Sequence, residues 1–80
     1  MTRKDFIALA DAFARTIFEV RKQLAGDTES IVVALASIGR LRLEVEAVCA
    51  HNNPAFQSSR FRDRIEATYE RLINPLGEGR

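Results

Sequence analysis

The chain has one thiol and one imidazole, Cys49 and His51, two residues apart. A zinc ion wants about four ligands, which one Cys and one His do not supply. On a helix, residues two apart point about 200° away from each other, so the imidazole cannot take the thiol's proton. Both residues read as structural. Carboxylate pairs such as Glu44 with Glu46 and Glu66 with Glu70 lie beside arginines and read as solvated charges, not as a desolvated acid–base pair. Gly26, Gly39, Gly77 and Gly79 are scattered, which excludes a glycine-rich phosphate loop. No constellation meets the geometric requirements of a catalytic site, so a non-enzymatic protein without metal or organic cofactor is expected.

The arrangement that exceeds background is basic. At about 100° per residue, Arg60, Arg64 and Arg71 share a narrow helical sector, Phe61, Ile65, Tyr69 and Leu72 form an apolar one, and Asp63, Glu66 and Glu70 an acidic one. One reading makes the arginine stripe a binding surface for an acidic partner or for nucleic-acid phosphate, since arginine forms bidentate bonds with both. The other pairs both charged flanks with helices one and two of the same chain.

Three helices must position these groups. Phe6, Ala10, Phe13, Ile17, Val20 and Leu24 recur at spacings of four and three, with Ile7, Ala14 and Phe18 widening the stripe, which predicts a helix over residues 3–25. Thr2 can cap it, Asp5 lies in its first turn, and Gly26 ends it. A second helix over 29–51 follows Asp27 or Thr28 as cap, with Ile31, Ala34, Ile38, Leu41, Val45 and Val48 as its inner face. Arg40 with Glu44 and Arg42 with Glu46 are expected on its solvent side. Gly39 inside it marks a close helix crossing or a bend. Pro54 stops this helix, with Asn52 or Asn53 as cap, and a third runs over 58–73 to Asn74-Pro75. Phe56 and Phe61 have the spacing of a hydrophobic staple if Gln57 is the N-cap, with Ser58 the other candidate. The tail over 75–80 is expected to fray. The fold class is all-α: a long antiparallel helical hairpin plus a shorter third helix, in a single domain.

Composition agrees. Eighty residues, 46% hydrophobic and 29% charged, make one small domain, and a net charge of +1 gives no whole-molecule field toward nucleic acid. One cysteine precludes an intramolecular disulfide and fits a reducing cytoplasm. No apolar run is long enough to span a bilayer, so no membrane partner is expected.

The start, Thr2-Arg3-Lys4-Asp5-Phe6-Ile7-Ala8-Leu9-Ala10-Asp11-Ala12, and the later Asn53-Pro54-Ala55-Phe56-Gln57-Ser58-Ser59-Arg60-Phe61 resemble the ends of small uncharacterised helical proteins of bacteriophages and prophages. The resemblance covers about a quarter of the chain. Gln57 and the charged Arg62-Asp63-Arg64 depart from the family's aspartate and alanine-rich run. It implies a phage or mobile-element origin, and by analogy a small host-directed effector such as an inhibitor of a defence complex, an anti-CRISPR protein for example, or of another host enzyme.

The leading functional expectation is a protein–protein interaction module. The run Ile31-Val32-Val33-Ala34-Leu35-Ala36 is apolar around the whole helix, and the third helix is too short to cover the hairpin. Val32, Val33, Ala36 and Gly39 are the candidate residues for self-association into a homodimer. Arg60, Arg64 and Arg71 are the candidates for binding a protein partner. The alternative is a small DNA-binding regulator using the same arginines. The connection before the third helix is longer than the turn of a helix-turn-helix, which weighs against it.

Overall fold

Three helices follow one another in the computed structural model, which describes residues 2–74: α1 over Arg3–Gln23, α2 over Thr28–Asn52 and α3 over Ser58–Ile73. No strand occurs among the described residues, and the architecture is all-α and three-helix bundle-like, as expected. The tail over 75–80 lies outside the described residues.

Local chemistry sets the boundaries. The Thr2 hydroxyl accepts the Asp5 amide at 3.4 Å while the Asp5 carboxylate accepts the Thr2 amide at 2.8 Å, a capping box that satisfies two otherwise orphaned donors. α1 ends two residues earlier than its pattern suggested, because the Asp27 amide turns back to the Leu24 carbonyl at 2.9 Å and Gly26 adopts φ +92°. Asp27, not Thr28, caps α2: its carboxylate accepts the Ser30 amide at 3.1 Å and the Ser30 hydroxyl at 2.7 Å. Asn53 is the C-cap, in the extended conformation that a following proline demands. Gln57 begins α3 without a side-chain cap bond, and the staple fixes how the chain enters the helix, with the Phe56 and Phe61 rings 5.6 Å apart.

Phe6 meets Phe56, Phe13 meets Phe61 and the Arg21 guanidinium lies over Tyr69. The partner therefore advances along α3 as one advances along α1, so these two helices run parallel and α2 carries the chain back between them. The core is built where they meet: Ala10, Phe13 and Ala14 from α1, Phe61 and Ile65 from α3. Ala14 is fully buried (0% exposed) and Ala10 nearly so, and their small side chains let α3 approach.

α1 packs chiefly on α3 and much less on α2. Three expectations about α2 need correction. Leu41 and Val48, assigned to the inner face, are exposed, while Ile31, Ala34, Ile38 and Val45 are half-buried. Arg42 and Glu46 do not form a solvent-facing pair: Glu46 is buried on the same side as Cys49 and receives a hydrogen bond from the partly buried Arg42 guanidinium. Gly39 marks no crossing within the chain, for a Cβ there would meet nothing within 4 Å. One physical reason underlies both the α1–α3 packing and the first correction. α1 and α3 are polar apart from one concentrated apolar face, whereas α2 is apolar on several sides, so no single face outcompetes the others for the core. The result is a flat molecule, 41 × 34 × 16 Å, whose radius of gyration of 13.8 Å exceeds the roughly 12 Å of a compact chain of this length.

Candidate functional site

The arginine stripe divides into three different environments. Arg64 reaches across to α1 and holds Asp11 with two bonds, Nε to Oδ1 at 3.0 Å and Nη2 to Oδ2 at 3.2 Å. The buried Thr68 hydroxyl donates to Asp11 Oδ1 at 2.7 Å and accepts from Arg71 Nη2 at 3.2 Å. Two of the three arginines are thus engaged within the chain, and Arg60 stays exposed. Asp11 and Thr68, which the sequence pattern did not single out, clamp the parallel helices at one level. A threonine one turn beyond Arg64 on α3 was the available signal.

The Arg64 hydrogen bonds hold the Asp11 carboxyl below the usual aspartate range, with Thr68 and the Arg71 charge helping. A carboxyl with a depressed folded-state pKa contributes stability above its unfolded pKa, near 4, and loses it as pH falls through the folded value. Asp5 and Asp27 are lowered in the same direction by their capping bonds to Thr2 and Ser30. Asp11→Asn is therefore expected to lower stability at pH 7 by about 1 kcal/mol and to leave a shallower decline between about pH 5 and pH 2, since the lowered Asp11 carboxyl no longer contributes to it. Thermal melts across that pH range measure both; parallel curves for the two proteins would show that the carboxylate's charge is not used.

The Asp11–Arg64 clamp borders a groove of about 430 Å³ between the start of α1, the loop before α3 and the first turn of α3. Arg3, Arg60 and Arg64 line it together with Phe6, Phe56 and Phe61. Arg3 and Arg60, 57 positions apart in sequence, come together because α1 and α3 are parallel and begin at the same end.

A second surface lies on α2. Val32, Val33, Leu41, Leu43 and Val48 are 57 to 66% exposed, and Ala36, Gly39 and Leu43 line a shallow depression beside Arg40 and Arg42. Of the self-association candidates, Val32, Val33 and Ala36 are exposed and Gly39 is half-buried.

Cys49 is buried, and burial together with the neighbouring Glu46 charge pushes its thiol pKa up, so the thiol stays protonated at neutral pH. His51 is exposed. Among the described residues, no three His, Cys, Asp or Glu side chains are grouped to hold a metal ion, and no helix is long and apolar enough to cross a membrane. Comparison with protein-family models, with curated proteins and with solved structures gives no match for the chain.

Proposed function

We propose that the chain is a non-enzymatic protein–protein interaction module that docks through α2. One observation carries this reading: the most apolar of the three helices is the least covered, with five large aliphatic side chains each more than half exposed. Such a face is stabilised by about 25 cal/mol for each Å² of apolar surface that a partner removes from water. The resemblance of the two terminal stretches to phage and prophage proteins supports a finer version. In it the module is phage- or mobile-element-encoded, acts in the host cytoplasm, and inhibits a defence complex, in the manner of an anti-CRISPR protein, or another host enzyme. A second copy is the other occupant this face could take, around Val32, Val33, Ala36 and Gly39. The DNA-binding alternative loses ground because Arg64 and Arg71 are engaged with Asp11 and Thr68.

The double variant Val32→Glu/Leu43→Glu changes only exposed positions, so it is expected to keep its helicity. Native chain at high concentration is expected to sediment above monomer mass, or to retain a host protein on an affinity column, and the variant to lose that association. A native chain that is strictly monomeric and retains nothing would sink the proposal.

A further inference from the structure

The groove at the start of α1 is a different surface from the α2 face, and its chemistry is specific. Its lining brings three guanidinium groups, Arg3, Arg60 and Arg64, to three phenylalanines and includes no carboxylate residue. Arg64 is neutralised by Asp11, whereas among the described residues Arg3 and Arg60 have no carboxylate within salt-bridge distance. α3 begins at this groove with no side-chain cap bond and no acidic residue in its first turn, so its amide dipoles add to the positive potential. Phe6 and Phe56 are only half-buried and offer apolar surface next to those charges. A volume of about 430 Å³ lies within the range of specific ligand sites and admits a few residues of a peptide.

We infer that this groove binds an acidic peptide segment of a partner protein, its carboxylates on Arg3 and Arg60 and an apolar side chain against Phe6 and Phe56. Charge complementarity selects the occupant, because arginine takes carboxylates in bidentate geometry and the phenylalanines need an apolar group to cover them. A nucleic-acid strand fits less well. The rings are tilted by 52° and 58° and packed on one another, Phe6 to Phe56 at 5.1 Å and Phe56 to Phe61 at 5.6 Å, which leaves no parallel slot between them for a base.

Fluorescence anisotropy of the full chain with a labelled DEDFEDE peptide tests this, beside a DEDSEDE peptide and a labelled oligothymidylate. The DEDFEDE peptide is expected to bind, about fivefold tighter than DEDSEDE, and about tenfold more weakly to Arg3→Glu/Arg60→Glu. Amide chemical-shift changes on titration are expected to cluster at residues 3–7 and 53–61, a readout that needs no variant. Val32→Glu/Leu43→Glu is expected to bind DEDFEDE like the native chain, so failure here is distinguishable from failure of the α2 proposal. No saturation by about 1 mM peptide, undiminished binding to the arginine variant, shifts elsewhere, or tighter binding of the oligothymidylate would each overturn the inference.

Discussion

Phe61→Ala is expected to remove a large part of the chain's stability. Phe61 is buried where the aromatic cluster joins the core, edge-on to Phe13 with centroids 6.0 Å apart and tilted against Phe56 at 5.6 Å. Its loss removes the staple that starts α3 and empties the α1–α3 contact at once, a change of about 3–5 kcal/mol. A domain of this length has roughly 4–12 kcal/mol in total, so the thermal midpoint falls by about 20 °C or more. Circular dichroism melts give the result directly. Leu43→Ala is the control: Leu43 is exposed, and its loss is expected to change stability by less than about 0.5 kcal/mol. If the two variants melted alike, the core would not lie between α1 and α3.

The next largest effect is expected at Arg42. Glu46 is 7% exposed, and the hydrogen bond that serves its carboxylate comes from Arg42, one turn earlier on α2. Arg42→Ala leaves that carboxylate buried without a partner, which costs about 2–3 kcal/mol. The figure sits below that for a fully enclosed pair because the Arg42 side chain is 25% exposed and water can take part of the guanidinium's place. The sign of the rescue is the informative part. Adding Glu46→Gln to Arg42→Ala removes the stranded charge and is expected to restore at least half of the loss, although it restores no ion pair. Urea unfolding of the single and double variants measures the coupling, and a double variant no more stable than Arg42→Ala would mean that Glu46 is not carrying an unpaired charge.

The legible parts of this fold are those decided within a few residues. Thr2, Asp5, Asp27, Pro54 and the Phe56–Phe61 staple act over one turn of chain, and each sits where the sequence pattern puts it, whereas Gly26 shapes the turn two residues past the end of α1. The faces of α1 and α3 were equally clear, because each carries one apolar stripe on an otherwise polar helix. α2 was not. A helix apolar on several sides fits more than one rotation, and the pattern Ile31, Ala34, Ile38, Leu41, Val45, Val48 satisfied the spacing rule while the covered side runs through Arg42, Glu46 and Cys49. The long-range part of the basic site was illegible for a related reason. Arg60 and Arg64 were visible as a stripe, but that Arg3 joins them and that Asp11 takes Arg64 depends on α1 and α3 being parallel, which no local spacing encodes.

The parallel pairing of α1 and α3 also fixes an order of events during synthesis. Ala10, Phe13 and Ala14 leave the ribosome with their partners Phe61 and Ile65 still untranslated, and α2 offers them little cover in the interval. Local helix formation can proceed meanwhile, but the core cannot close until the last helix has emerged. Every nascent chain therefore passes through a stage in which the amphipathic face of α1 and an apolar α2 are open to water together.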